Sequence, residues 1–208
     1  MDQQNQPLEA IQDIRRMMER SSRFISLSGL SGIAAGVCAL IGTWFGYREL
    51  LAFVHREGSY NTNATVLDLE MNLMKIATAV FIAALVTAYL FTYRRARKNN
   101  QPLWDSTARR LMLNTAMPIA VGGMFIMGML YHGSSRFVAP ASLVFYGLAL
   151  VNGSKYTLGE IRYLGYCEII LGIINLWLPE NSIWFWAAGF GLLHIIYGAI
   201  MWWKYDRA

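Results

Sequence analysis

Two residues of this chain carry chemistry in places where apolar side chains would be expected: Glu168 and His194, each set inside a long hydrophobic run. A charged side chain at the centre of a membrane-crossing helix costs at least ~2.5 kcal/mol on insertion scales, so an ionisable group there is a functional candidate by default. A Glu and a His together can accept, hold and release a proton, or bind a cationic or hydrogen-bonding ligand. At ~1.5 Å of rise per helical residue, Glu168 lies ~10 Å and His194 ~13 Å from the inner ends of their runs, so their depths match. The short turn between the two runs makes them antiparallel neighbours. Tyr146, Tyr166, Tyr197 and Thr87 fall near the same height, which predicts a polar pocket in the inner half of a bundle, with Asn114 on its inner approach and Asn175 further out. The competing reading, that Glu168 and His194 satisfy each other as interhelical glue, carries the greater weight at this point.

Sharper chemistries find little support. His55, His132 and His194 lie at different depths with no Cys or carboxylate at metal-ligand spacing, so no iron or zinc centre is expected. The glycines sit in apolar runs and not after a strand, so no phosphate-cradling loop is present, and no cofactor and no catalytic constellation is expected. Asn152, Gly153, Ser154, Lys155, Gly159, Glu160 and Arg162 form a polar loop that either meets phosphate-bearing headgroups or restarts a helix with an interfacial ion pair. Cys38 and Cys167 differ in depth by more than the ~7 Å between Cα atoms that a disulfide tolerates, and are read as packed thiols.

The elements that must position these groups are apolar runs: Phe24 to Tyr47, Met71 to Tyr93, Leu111 to Tyr131, Phe137 to Val151, Ile161 to Leu178 and Ile183 to Trp203. Their lengths approach the ~20 residues that a helix needs to cross ~30 Å of hydrocarbon. In lipid a crossing segment must close its own backbone hydrogen bonds, which predicts an all-α polytopic bundle of about six transmembrane helices. Residues 24–203 form that domain, 1–23 an amino-terminal segment and 204–208 a tail. Lys and Arg sort to one side: Arg15, Arg16, Arg20 and Arg23; Arg94, Arg95, Arg97, Lys98, Arg109 and Arg110; Lys155 and Arg162; Lys204 and Arg207. Only Arg48, Arg56 and Arg136 face the other way, with Lys75 just inside the outer end of the second run. Because cations near spans are retained in the cytoplasm, both termini are expected there, and the span count is even. The first run is expected to act as an uncleaved anchor. The net charge of +5 is thereby explained without nucleic acid, and Arg94, Arg95, Arg97 and Lys98 become candidate contacts for anionic headgroups.

Within residues 1–23, Leu8, Ile11, Ile14 or Arg15, and Met18 fall at helical spacing, giving a short amphipathic stripe for the inner leaflet, a second copy of the chain or a soluble cytoplasmic partner. Arg48 to Leu69 is expected as the longest outer connection, and Asp105 or Ser106 as a helix cap. Segments Arg110 to Tyr156 and Arg162 to Tyr205 align as hairpins running from an inner Arg to an inner Lys-Tyr, suggesting an architecture of three helical hairpins with Arg20 to Arg97 as the first. Helices in lipid associate through close packing, so small residues mark contacts: Gly32 with Gly36, Gly42 with Gly46, Gly165 with Gly172, and Gly191 with Gly198, read mainly as contacts within one chain and alternatively between copies. Pro118 is expected to kink the third helix. Trp44, Tyr131, Trp177, Trp184 and Trp186 at one boundary, and Tyr93, Trp104, Tyr163, Trp202 and Trp203 at the other, read as interfacial belts.

At Lys155, Tyr156, Thr157, Leu158, Gly159, Glu160, Ile161, Arg162, Tyr163, Leu164, Gly165, Tyr166, again at Ile11 to Ser28, and at the ending Trp202, Trp203, Lys204, Tyr205, the chain resembles a family of small bacterial multi-pass membrane proteins with no assigned activity. The resemblance implies the bacterial inner membrane, a role in sensing or envelope regulation, and a winged-helix regulator as cytoplasmic partner. It supplies no catalytic residues. The leading expectation is therefore a non-enzymatic sensor or scaffold with a cytoplasmic partner; the alternatives are a small proton-coupled transporter using Glu168 and His194, and a lipid-modifying enzyme.

Overall fold

The computed structural model describes residues 28–57, 66–99 and 104–206. These form six helices with no strand among the described residues. They are α1 (Gly29–Glu57), α2 (Val66–Lys98), α3 (Ser106–Tyr131), α4 (Val138–Gly153), α5 (Ile161–Trp177) and a composite α6. Helix α6 is α-helical over Ser182–Trp186, π-helical over Ala187–Leu193, α-helical over His194–Met201 and π-helical over Trp202–Asp206. Five of the six are long and apolar enough to cross a membrane. The remaining one, α5, has 17 residues. It lies antiparallel along α4, with Gly165 against Gly147 and Val151 at one end and Gly172 against Pro140 and Val144 at the other, so it covers the same depth. The bundle is all-α, as its apolar runs require.

Small residues set which helices touch. A Cβ added to Gly36 would meet the carbonyl oxygen of Gly191 at 2.6 Å, and one on Gly198 would meet the backbone nitrogen of Ile33 at 2.6 Å. A Cβ on Gly32 would likewise lie 3.2 Å from the Cα of Gly198, so α1 and α6 meet backbone to backbone within one chain. The α4–α5 seam repeats this: a Cβ on Gly147 would lie 2.7 Å from the oxygen of Gly165, and one on Gly165 would lie 2.8 Å from that of Gly147. Gly42 receives Val80 of α2, whereas Gly46 makes only ordinary contact with Ile183 and Leu73. Dispersion and close approach, the forces available where lipid is as apolar as Leu, are thus concentrated at glycines.

Helix α2 packs chiefly on α1, and α3 on α4. Both expose Phe, Met, Leu and Val almost all round, as lipid-facing helices do. Chain order gives three antiparallel hairpins, but α5 and α6 touch sparsely. The extensive seams are α1–α2, α3–α4, α4–α5 and α1–α6. The outer connection expected over Arg48 to Leu69 is largely helix, because α1 runs on to Glu57 and α2 starts at Val66. Its turn-rich middle, 58–65, lies outside the described residues, as does the amphipathic segment 1–23. Asp105 caps α3, its Oδ1 accepting the Ala108 N–H at 2.6 Å. Helix α3 continues through Pro118, and the chain leaves it through Gly133 at φ +68, a conformation open to glycine without steric cost. Cys167, expected as a packed thiol, faces outward, because it stands beside Glu168 on the helix and the buried stripe of α5 is taken by Leu164, Gly165, Glu168, Gly172 and Asn175.

A candidate intramembrane polar site

Helix α5 buries Glu168 completely, at 0% exposure. The space it occupies exists because Gly189 on α6 has no side chain: a Cβ there would lie 2.5 Å from Glu168 Oε2 and 2.5 Å from Leu143 of α4. His194, one π-turn further along α6, turns its ring toward the same point. Its Nδ1 is 3.0 Å from the Gly189 carbonyl oxygen and 3.5 Å from Glu168 Oε1. A carbonyl only accepts, so Nδ1 carries the proton and donates to Gly189. In the neutral ring Nε2 is then an acceptor, and the Tyr146 hydroxyl of α4 donates to it at 2.8 Å. Three helices therefore converge on one imidazole.

Glu168 is left out of this network. His194 Nδ1 stands 3.5 Å from Oε1, an ion-pair distance at the outer edge of hydrogen-bond reach, and neither carboxyl oxygen accepts a hydrogen bond. A buried carboxyl without hydrogen bonds is costly, since the full desolvation penalty of ~1–3 kcal/mol or more is uncompensated. Glu168 and His194 thus face each other at ion-pair distance without a hydrogen bond between them. The Gly189 carbonyl that meets the imidazole lies in the π-helical stretch Ala187–Leu193, and such bulges are frequent at functional sites. No signal read from the sequence anticipated it, although Gly189 and Gly191 in an apolar helix are the residues that permit it.

The other expected members divide. Tyr197 is half-buried and its hydroxyl is fully enclosed without a partner, within electrostatic reach of Glu160 and Tyr205. Tyr166 does not join the site: it stands on the far side of α5 from Glu168, 44% exposed, with its ring edge-on to Tyr163. Thr87 bonds the Ala83 and Ala84 carbonyls of its own helix, and Asn114 bonds the Arg110 carbonyl. Asn175, fully buried, accepts from the Ser182 hydroxyl at 3.1 Å through Oδ1 while its Nδ2 has no partner.

At the basic end, Glu160 Oε1 accepts from Lys204 Nζ at 2.6 Å and from the Tyr205 hydroxyl at 2.5 Å. Burial raises the Glu160 carboxyl, but these hydrogen bonds and the charge of Lys204 outweigh it and hold the group below the usual carboxylate range. Arg95, expected as a headgroup contact, is half-buried and reaches inward, donating to the Tyr205 carbonyl oxygen at 3.1 Å. Arg94, Arg97 and Lys98 remain outward, lining with Leu90 and Tyr93 an open cavity of about 470 Å³. The loop from Asn152 to Arg162 restarts a helix: Asn152 donates to the Asn114 carbonyl, and Arg162 Nε approaches Ser154 Oγ at 3.4 Å.

Compared with family models, with curated proteins and with solved structures, the chain matches none.

Proposed function

We propose that this chain is an integral protein of a bacterial inner membrane, with both termini cytoplasmic, that works as a small proton-coupled transporter. Glu168 is the proton-carrying group; His194 and Tyr146 position it. The observation that carries the reading is the fully enclosed carboxyl of Glu168, with neither oxygen hydrogen-bonded and an imidazole N–H at an ion-pair distance of 3.5 Å. Structural pairs close such gaps; a group that must gain and lose a proton benefits from a partner it can engage in one state only. With Glu168 ionised, the His194 N–H is drawn from the Gly189 carbonyl toward Oε1. With Glu168 protonated, it returns to Gly189. The sorting of Lys and Arg supports the orientation. The sensor or scaffold reading leans on residues 1–23, outside the described residues, and no comparable observation favours it.

The test is proton flux. Purified protein in liposomes loaded with a pH-sensitive dye, driven by a potassium diffusion potential, is expected to carry protons, and Glu168→Gln is expected to lower the rate at least tenfold while melting normally. Undiminished flux in a folded Glu168→Gln protein would overturn the proposal.

A further inference from the structure

Near its end helix α2 presents one face that changes from apolar to cationic: Leu90, Tyr93, Arg94, Arg97 and Lys98, at positions i, i+3, i+4, i+7 and i+8. At ~1.5 Å of rise per residue the change takes place over ~10 Å, about the step from acyl chains to headgroups. These residues line the open cavity of about 470 Å³. The other side of the same turns fixes its direction: Ala96 is fully buried, and Arg95 donates to the Tyr205 carbonyl oxygen of α6 at 3.1 Å, so the cavity opens away from the bundle.

Its cations are uncommitted. Among the described residues Arg94, Arg97 and Lys98 have no ion-pair or hydrogen-bond partner and no carboxylate lines the cavity; the Glu160 carboxylate at that end is already engaged by Lys204 and Tyr205. The apolar half is exposed as well, with the Tyr93 ring stacked on that of Tyr89 at 6.2 Å. Helix α2 is the span least covered by its neighbours, none of its most apolar stretch being buried, so this wall looks onto lipid.

We propose that the cavity is a binding site for one anionic phospholipid, its phosphate held by Arg94, Arg97 and Lys98 and the upper part of its acyl chains laid on Leu90 and Tyr93. Guanidinium forks match phosphate oxygens bidentately, and the ammonium of Lys98 adds a point charge. A zwitterionic lipid would bring its own quaternary amine against three cations. A soluble phosphate would leave the apolar half unused. The site is separate from Glu168 and stands whether or not that group carries protons.

The experiment counts lipids retained by the purified protein in detergent, by native mass spectrometry, as phosphatidylglycerol or phosphatidylcholine is titrated in, with inorganic phosphate as competitor and a melting curve for each variant. Phosphatidylglycerol is expected to fill a single saturable site at least tenfold more tightly than phosphatidylcholine. Arg94→Gln with Arg97→Gln should weaken it at least tenfold, and Tyr93→Ala at least threefold. Arg109→Gln with Arg110→Gln, which removes the same charge from exposed positions on α3, should weaken it less than twofold. An equal loss in the α3 pair would overturn the site, leaving a general attraction of the basic end for anionic lipid, and so would equal affinity for phosphatidylcholine. Displacement by inorganic phosphate with Tyr93→Ala unaltered would assign the cavity to a soluble anion and overturn the lipid. Should the Arg94 and Arg97 variant fail to fold, the headgroup comparison and Tyr93→Ala decide: no headgroup preference, or normal retention in Tyr93→Ala, rejects the proposal.

Discussion

Glu160 and Glu168 belong to one stretch of chain, the first just ahead of α5 and the second within it, yet their surroundings are opposite. Glu160 lies at the rim, where one carboxyl oxygen collects an ammonium and a phenol within 2.6 Å. Glu168 lies in the core with an imidazole held at 3.5 Å and no hydrogen bond at all. The better-partnered carboxylate is the one water could have served. This inversion separates roles: Glu160 joins the ends of α5 and α6, whereas the enclosure of Glu168 leaves a group unsatisfied where satisfaction matters most. Stability alone does not account for it. Unsatisfied buried groups kept in a well-packed structure point to function.

The largest blow to this contrast is expected at Gly189, which touches Glu168 without being titratable. Gly189→Val forces two methyl groups onto Oε2 and Leu143, each already 2.5 Å from a hypothetical Cβ. Overpacking of this kind typically costs about 3 kcal/mol at the upper end of its range, and flux should fall at least tenfold. A thermal melt in detergent paired with the flux assay checks both, and a neutral result would mean that the carboxyl does not depend on the π-helical pocket. Next comes Glu168→Leu. If Glu168 is an unsatisfied site residue, an apolar side chain of similar length should stabilise the bundle by about 1–2 kcal/mol and abolish flux. A lower melting temperature would instead assign Glu168 to interhelical glue and dissolve the distinction from Glu160.

Much of the frame was legible in the sequence because membrane constraints act on composition. Apolar runs long enough to cross must be helices, and Gly32, Gly36, Gly191 and Gly198 announce close approach, although not that α1 would meet α6. The shared depth of Glu168 and His194 was also readable, since helical rise converts residue number to height. Azimuth was not. Height groups Tyr166 with Glu168, but it stands on the opposite face of α5 and is exposed. Adjacency groups Arg95 with Arg94, Arg97 and Lys98, but its place on α2 aims it at Tyr205. The π-helical turns of α6 were invisible for a related reason: one extra residue per turn shifts every later side chain around the axis, and Gly189 signals permission for such a turn without requiring it.

A smaller effect is expected at Tyr146, whose hydroxyl donates to His194 Nε2 at 2.8 Å. Tyr146→Phe removes that bond and leaves a buried acceptor on the ring, at a cost of about 1 kcal/mol. The imidazole should then be less firmly oriented. Flux is expected to fall about threefold, with its pH optimum displaced, while Glu168→Gln combined with Tyr146→Phe should be no slower than Glu168→Gln alone. Additive losses in that double variant would show that Tyr146 acts apart from Glu168.

The smallest effect belongs to Glu160 and has a definite sign. Its carboxyl is held below the ordinary range in the folded protein: burial opposes this, but the bonds from Lys204 and Tyr205 prevail. A group whose folded value is depressed stabilises the fold fully above its unfolded value and loses that contribution as pH falls through the folded one. The pair is partly solvated, and exposed ion pairs contribute little. Wild type is therefore expected to melt only about 1–3 °C above Glu160→Gln at pH 7, and the gap should narrow as pH falls below the ordinary carboxylate range and close once the carboxyl is protonated in folded and unfolded chains alike. A gap that persisted or widened on acidification would mean that Glu160 acts through packing and not charge, which would remove the rim half of the contrast.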